Sequence, residues 1–546
     1  MEWSVRLAKN AEREMREANN SLIRHFKVPN TIAKDPRDDV AGGQWIAASN
    51  ETVGDFTAVG YYFARELYKE LKVPIGLINS TWGGTDIETW ISRPALEDSE
   101  IFKSMMKNMP SSASLEDVVR ARKKQLQQRI KQLQGGLPKD SASASVYRES
   151  KFDDSRWPKV VVPGFWEQSI DNLDGIAWLR TSFNLNPAIG SKSAELYLAM
   201  IDDSDETYVN GIKVGSVRNG YNTPRIYQVP KGVLKPGKNV VAVRVEDTGG
   251  GGGIYGNPND VKLLVGDQEI NLGGRWSFQL ESLLDGSASA NVNDPNNFPT
   301  LLFNGMIHPI IPYAIKGVIW YQGENNAGRA VQYQDAFPLM INDWRNNWKQ
   351  GNFPFYYVQL SSWIASSGDS NHGSSWAELR EAQTRTLKLP ETGMAITIDI
   401  GETNDIHPKN KQDVGKRLAA IALHQTYRKA NPFKGPSFKN MNIFGSKIIL
   451  DFEDVGSGLQ VKDKYGYLKG FEIAGADQKF HYAKACVENN KVLVSSDQVA
   501  VPVAVRYAWA DDAGEANLFN KEGFPALPFR TDNWKPITEN VKYTIR

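Results

Sequence analysis

Strand, helix and strand follow one another between Ile23 and Ser92, and this alternation resumes at Lys316 after a long stretch that shows no helical period. IRHFKVP (23–29) reads as a strand ending at Pro29. FTAVGYYFARELYKEL (56–71) sets Phe56, Val59, Tyr62, Phe63, Leu67 and Leu71 on one helical stripe, and VPIGLINSTWGGTDIETWIS (73–92) is a buried strand running into a Gly-Gly turn. Parallel neighbours need a crossover, which a helix supplies, so this order demands an α/β domain with a parallel sheet. Strand KGVIWYQGENNA (316–327), helix YQDAFPLMINDWRNNW (333–348), strand PFYYVQL (354–360) and helix WAELREAQTRTLKL (376–389) continue it.

The interruption, 146–282, alternates with the period of two that half-buried strands require, as in AWLRTSFNL (177–185), AELYLAMI (194–201), ETYVNGIKVG (206–215) and NVVAVRVED (239–247). VNG is a hairpin signal, and DTGGGGGIYG (247–256) is a long loop, so an all-β sandwich is inserted into the α/β domain. After 436 the texture is all-β again, through SKIILDFED (446–454), KVLVSSDQV (491–499) and VPVAVRYAWA (501–510). The expected organisation is an α/β domain over 1–145 and 283–435, an inserted sandwich over 146–282 and a small β module over 436–546. Residues 2–18 read as a helix carrying Trp3, Val5, Leu7 and Ala8. SLEDVVRARKKQLQQRIKQLQ (114–134) opens on a Ser114–Asp117 capping box and reads as one exposed basic helix, ending at Gly135-Gly136.

The composition rules out several classes of partner. A net charge of +1 over 546 residues gives no general attraction to nucleic acid or to an anionic membrane, so the Lys/Arg run of the 114–134 helix is read as a solvated face. No run reaches the length of a membrane span. The single Cys486 excludes an internal disulfide and a multi-cysteine metal site, and the six His have no metal-ligand spacing, so no metal or cofactor is expected. Fifteen Trp and twenty Tyr are a rich supply of flat rings for stacking on sugars, and equally of core-filling bulk.

Three loops follow strands of the α/β domain: WGGT (82–85), YQGENN (321–326) and NDIHP (404–408). In an open parallel sheet the C-terminal strand ends converge on one crevice, where ligands bind. The third loop follows an apolar run (Ile396, Thr397, Ile398, Ile400) expected as a strand, and precedes Val414, Leu418, Ile421 and Ala422 at helical spacing, which predicts a helix from near Lys411. His407 is the candidate general base, with Asp405 two residues before it. Gly83 and Gly84 allow close approach of backbone N–H groups, and Gln322 and Asn325 carry amides able to donate to an oxyanion. Glu324 is read as a residue that orients its loop. Donors, a base and a carboxylate make an acyl-transfer site.

GLINSTWGGTDIETWIS, GVIWYQGENNA and DIHPKNKQDVGKRLA resemble signature blocks of the sialate O-acetylesterase family of SGNH-type hydrolases. So do GDFTAVGYYFAREL (54–67), LFNGMIHPIIPYAIKG (302–317), WAELREAQ (376–383), VAVRYAWA and LPFRTDNW (527–534). The similarity spans nearly the whole chain, including IDDSDETYVNG (201–211) of the insert. It implies a flavodoxin-like three-layer hydrolase fold interrupted by a galactose-binding-like jelly-roll sandwich. It also implies a serine esterase acting on O-acetylated sugars or polysaccharides and commonly exported. By position, His407 is the base, Asp405 its acid, and the WGGT glycines (Gly83, Gly84) with Gln322, Gly323, Glu324 and Asn325 form the oxyanion and substrate loops.

Two departures accompany the resemblance. The family spaces acid and base as D-x-x-H, where this chain has Asn404, which leaves Asp399 and Glu402 as further candidates for the acid. The nucleophilic serine belongs to a GQSNM motif after the first strand. This chain opens Met1-Glu2-Trp3, like the continuation of that motif, so the serine and its strand are expected upstream of Met1 and the chain alone is expected to be inactive. GDSN (368–371), with His372 beside it, is out of family order, and Ser80 lies before the glycine turn, so neither replaces it. His308 is read as structural. The other readings are a carbohydrate-binding protein without catalysis, and a glycoside hydrolase using Glu324 and Asp405, against which the glycine and amide loops argue.

Overall fold

The structure is a computed structural model that describes residues 1–107, 115–138, 141–168, 173–186, 193–248, 251–283, 294–296, 298–364 and 368–543. The chain divides into two compact units, one of Met1–Met109 with Phe298–Ile545 and one of Pro110–Asn297. No helix of the described residues is long and apolar enough to cross a membrane.

The first unit is built on two three-stranded sheets. In one, β1 (Asn20–Lys27) lies between β2 (Trp45–Ala48), antiparallel to it, and β3 (Ile75–Asn79), parallel to it. In the other, β4 (Val318–Trp320), β5 (Phe355–Val358) and β6 (Thr392–Ala395) are all parallel, with β5 in the middle. The residues of β5 alternate between two helical layers. Phe355 and Tyr357 join the core cluster of α2 (Ala330–Trp348), Tyr357 packing edge-on to Phe337 with ring centroids 4.9 Å apart. Tyr356 and Val358 join the cluster that holds Val59 and Leu67 of α1 (Ala58–Leu71) and Val414, Leu418 and Ile421 of α4 (Lys411–Gln425). α3 (Ser375–Arg385) packs on the α2 side through Trp376 and Leu379. Gly415 lets α1 and α4 approach closely, since a Cβ there would lie 2.6 Å from the Tyr62 Cβ and 2.8 Å from the Phe63 nitrogen.

Helical layers on both faces of parallel strands fit the expected α/β class, but the strands do not form one sheet. β3 and β4 are the end strands of their sheets and are not hydrogen-bonded to each other. Between them run two adjoining cavities of about 430 Å³ and about 130 Å³, both lined by Leu77, Ile78, Ile319 and Trp320.

The elements depart from the periodicity in two places. Residues 2–18 are not one helix: a 3₁₀ turn spans Val5–Leu7, Asn10 takes a left-handed φ of 58°, and only Ala11–Glu17 is α-helical. The Lys9 N–H donates to the Lys409 carbonyl at 2.7 Å, and this tie outside the segment turns the chain away from a helix. The strand expected over 396–400 ends at Ala395, and Ile398–Ile400 is a 3₁₀ turn. There Gly401 passes so close to Ser362 that a Cβ would sit 2.3 Å from its carbonyl oxygen. The helix expected near Lys411 begins at that residue, with the Asn410 side chain accepting from the Asp413 N–H at 3.3 Å.

The C-terminal strands of this unit form two four-stranded sheets and a two-stranded one. Ile448, Leu450, Val494 and Tyr507 belong to the same buried cluster as Phe337 and Trp376. Arg380, fully buried, joins the two: its guanidinium donates to the carbonyls of Leu360 (2.9 Å), Ser361 (2.8 Å), Ala510 (2.6 Å) and Asp511 (2.8 Å).

The second unit is a pair of six-stranded antiparallel sheets, paired most extensively where Gly175–Leu185 runs against Gly237–Asp247. Trp166, Trp276, Leu196 and Val243 fill its core. The helix Leu115–Gln134 belongs to this unit and is not exposed all round. Leu126 and Ile130 are buried in the sandwich core, while Lys123 and Lys124 face solvent. The Ser114–Asp117 capping pair and Gly249-Gly250 of the glycine loop lie outside the described residues.

Candidate active site

His407 sits on a tight loop after β6 whose geometry comes from its own carboxylates. The Asp405 N–H donates to the Glu402 carbonyl at 3.1 Å, the Glu402 carboxylate accepts from the Lys409 N–H at 2.8 Å, and Asp405 Oδ1 accepts from the His407 N–H at 2.9 Å. The last bond brings Asp405 Oδ1 to 3.6 Å from His407 Nδ1. On its flat side the imidazole stacks on Trp3, ring centroids 5.1 Å apart and 14° from coplanar. The ring is 44% exposed, open enough to meet a ligand.

The three candidate acids are thereby told apart by position. Asp399 is held by Arg417 through two bonds of 2.7 and 2.6 Å, and Glu402 is committed to the Lys409 backbone. Asp405 is the carboxylate beside the ring. Burial lowers the His407 pKa from its ordinary value, Asp405 and Glu324 oppose that shift, and the Lys411 ammonium adds to it.

Lys411 is the neighbour that the sequence pattern did not single out. It is fully buried, with its Nζ 3.1 Å from the Met1 sulfur and stationed over the rings of Trp3 (5.5 Å) and Tyr321 (5.1 Å). Burial lowers its pKa to about 8, against the pull of Glu324, Asp405 and Glu402. One signal was available: a lysine as first residue of a helix opposes the positive end of the helix dipole, which calls for a compensating partner. Trp3 carried no comparable signal, since its stacking on a residue four hundred positions away is purely tertiary.

The other two loops are tied to each other. Gln322 Nε2 donates to the Thr85 carbonyl (3.0 Å) and to Asn326 Oδ1 (2.6 Å), and its Oε1 accepts from the Tyr333 hydroxyl (2.9 Å). Asn325 Nδ2 donates to Asp86 Oδ1 at 2.6 Å, and Asn326 accepts from the Ile87 N–H at 2.9 Å. Gln322 thus ties its own loop to Thr85 of the WGGT loop, and Asn325 ties it to Asp86 just beyond. Arg329 completes the join, 3.3 Å from both Asp86 and Glu88. Gly323, at φ 153°, lies where a Cβ would meet Leu379 at 2.6 Å, so packing requires glycine there.

Of the backbone donors, Gly83 N–H points to Glu2 Oε2 at 3.1 Å, and Gly84 takes a left-handed φ of 68° with open space where a Cβ would stand. Ser80 Oγ donates to the Met306 carbonyl at 3.4 Å. Ser370 of the GDSN stretch is hydrogen-bonded to Glu472, while His372 faces Asp369 at 3.0 Å, so this serine and this histidine serve different carboxylates. His308 Nδ1 lies 2.8 Å from the Arg37 carbonyl. Among the described residues no hydrogen bond joins a hydroxyl to the His407 ring, and no group of three or more His, Cys, Asp or Glu is placed to hold a metal ion.

Comparison with known proteins places these loops. A family profile described as "Carbohydrate esterase, sialic acid-specific acetylesterase" matches residues 302–424, which include the QGEN and DIHP loops. Sialate O-acetylesterase of Mus musculus is 34% identical over 246 residues, covering 40% of this chain and 44% of the mouse protein. That of Homo sapiens is 33% identical over 257 residues, covering 42% and 48%. The matches thus span less than half the length of these relatives. A crystal structure of a carbohydrate acetylesterase from Xanthomonas citri superposes with a TM-score of 0.60 at 30% identity, covering 98% of this chain and 78% of that one. A likeness that runs through nearly the whole chain, at this identity, means that the chain belongs to the sialate O-acetylesterase family.

Proposed function

We propose that this chain supplies the base, the acid and the loop framework of a carbohydrate O-acetylesterase that releases acetate from O-acetylated sugars by serine-esterase chemistry. The observation that carries the reading is the pairing of His407 with Asp405 at a strand end of the α/β unit. A serine hydroxyl attacks the acetyl carbonyl while His407 Nε2 takes its proton, and Asp405 at Nδ1 supports the imidazolium that forms. The 3.6 Å separation tightens to a hydrogen bond on substrate binding, as such separations do in unliganded sites. The oxyanion is met by backbone N–H groups of Gly83 and Gly84, the loop shape being held by Gln322 and Asn325 from behind. His407 returns the proton to the sugar oxygen, and water then releases acetate. The lowered pKa keeps the base neutral at neutral pH, the form the first step needs.

The inserted sandwich is assigned to sugar binding, and sialic acid and plant polysaccharide esters are both within its chemistry. Acetate release measured against reducing-sugar release, on an acetylated sugar and on an acetylated polysaccharide, tests the reaction type. Reducing ends without acetate would replace it by glycoside hydrolysis. A second reading, a carbohydrate-binding protein without turnover, is favoured by the absence of a hydroxyl bonded to His407 among the described residues. Removing the triad serine of a hydrolase costs about 10⁶ in rate, so acetate release separates the two readings by a wide margin.

A further inference from the structure

In the C-terminal part, β7 (Ser437–Phe444), β8 (Lys447–Glu453), β9 (Lys484–Glu488) and β10 (Lys491–Ser495) form an antiparallel sheet in the order β7-β8-β10-β9. Ile448, Leu450, Val492 and Val494 of one face belong to the shared core. Side chains alternate along a strand, so the residues between them make up the opposite face. The register arranges that face in three rows. Asn442, Ile449, Leu493 and Cys486 form an uncharged middle row. Phe444, Lys447, Ser495 and Lys484 lie on one side of it, and Asn440, Asp451, Lys491 and Glu488 on the other.

The segment beside β9 widens this face. Leu468 bridges Ala485 and is buried, so Tyr467 and Lys469 on either side of it stand on the outer face, next to Cys486 and Lys484. Tyr465 and Tyr467 are 73% and 68% exposed, with ring centroids 6.3 Å apart. Their turn is fixed from below. Asp463 Oδ2 accepts from the N–H groups of Tyr465 (2.7 Å) and Tyr467 (3.1 Å), and Asn517 Nδ2 donates to the Tyr467 carbonyl at 2.8 Å. Phe444, at the opposite edge, is 76% exposed. Rings held out on a rigid turn, in line with an apolar middle row, mark a binding surface. Its charge is lopsided. Lys491 is paired with Asp451 and Lys484 with Asp497, whereas Lys447, Lys464 and Lys469 have no ion pair among the described residues.

We propose that this sheet face docks an acidic polysaccharide. The chain crosses the strands along the middle row, with sugar rings on Tyr467 and Tyr465 and carboxylates toward Lys447, Lys469 and Lys464. The C–H groups of a sugar ring carry partial positive charge and lie well on the negative face of a tyrosine, whose hydroxyl stays free for the sugar hydroxyls. Five chain segments at about 4.8 Å spacing give a track roughly 19 Å long, which suits an oligomer and not a single sugar. A protein partner fits this face poorly, because interface cores are depleted in lysine. Holding the polymer here raises the local concentration of its acetyl esters around the candidate base. The docking stands on the sheet face alone, while its service to turnover rests on the esterase reading above.

The test titrates the full chain with polygalacturonate, a neutral glucan and single-stranded oligothymidylate. Beside it stand the variants Tyr465→Ala/Tyr467→Ala and Lys447→Gln/Lys469→Gln, whose exposed positions should leave the melting temperature unchanged. Polygalacturonate is expected to bind the unsubstituted chain, to bind each variant at least tenfold more weakly, and to be weakened by salt. The glucan is expected to bind at least tenfold more weakly than polygalacturonate. Absence of polygalacturonate binding, or binding unchanged in either variant, overturns the proposal. So does a glucan that binds equally well, tighter binding of the oligonucleotide, or a dimer of the unsubstituted chain that the tyrosine variant loses, which would assign the face to a second copy. On O-acetylated polygalacturonate the tyrosine variant is expected to raise KM at least tenfold at unchanged kcat, and on an acetylated monosaccharide to change neither. An unmoved KM on the polymer overturns the service to turnover. Binding without acetate release from either ester upholds the docking face and sinks the esterase reading instead.

Discussion

Arg417 grips Asp399 with two hydrogen bonds, 2.7 and 2.6 Å long, and so removes that carboxylate from competition for His407. The two aspartates of this region should therefore fail in different ways. Asp399→Asn leaves a mostly buried guanidinium unpaired, and breaking such a pair costs about 3–5 kcal/mol. A lower melting temperature, with little change in kcat of the protein that remains folded, is the expected result.

Asp405→Asn should do the reverse, lowering kcat by about 10⁴ by analogy with other triads while the melting temperature changes little. Acetate release by each variant is measured beside that of the unsubstituted protein. Equal losses of activity in the two would remove Asp405 as the acid.

Lys411 gives a readout that needs no turnover. Its positive charge lowers the His407 pKa, so Lys411→Met should raise it. The His407 imidazole would then stay protonated to higher pH, and the acidic limb of any kcat/KM profile would move upward with it. Proton NMR of the His407 ring across pH 4–9 in the two proteins measures the effect, and a downward shift in the variant would contradict the electrostatic role.

His25 makes a stability prediction. It is 3% exposed, stacks on Phe56 with centroids 4.5 Å apart, and has its pKa lowered to about 4 by burial and by Lys27. The unfolded chain takes up a proton near 6.5 and the folded chain does not until near 4. Stability is thus unaffected above 6.5 and is lost as pH falls through that window. The loss approaches roughly 3 kcal/mol, because each pH unit between the two values costs about 1.36 kcal/mol. In His25→Gln the stability should fall less between pH 6.5 and 4, as followed by melting temperature in matched buffers.

Gln322 tests the loop framework. Gln322→Ala abandons the Tyr333 hydroxyl and the Thr85 carbonyl in a buried place, at about 1–3 kcal/mol for each group left unmet. Gln322→Glu keeps the acceptor for Tyr333 and loses the donor. If Gln322 acts through the WGGT loop, both variants should lower kcat and stability together. A loss of kcat at unchanged stability would instead make its amide a direct oxyanion donor.

The sequence made the α/β pattern, the helix from Lys411 and the loop carrying His407 readable, because each is a local period or a strand-end motif. Residues 2–18 misled because Val5 and Ala8 are buried and Trp3 half-buried for tertiary reasons that mimic a helical stripe. The run 396–400 misled likewise, since Ile398 is buried in a turn packed near Ser362 and not in a strand. The division of the carboxylates could not be read at all. Asp399, Glu402 and Asp405 are equivalent on a line of letters, and only the arrival of Arg417 and of the Lys409 backbone separates them.

Arg380 ties four carbonyls, two from the α/β part and two from the C-terminal strands, around one guanidinium inside a shared core. The C-terminal segment is therefore a structural wall and not a passenger. A gene cut near 436 would yield no trimmed enzyme, only a chain with a buried cation stripped of half its acceptors. None of the four carbonyls belongs to the second compact unit, so the seam lies wholly within the first.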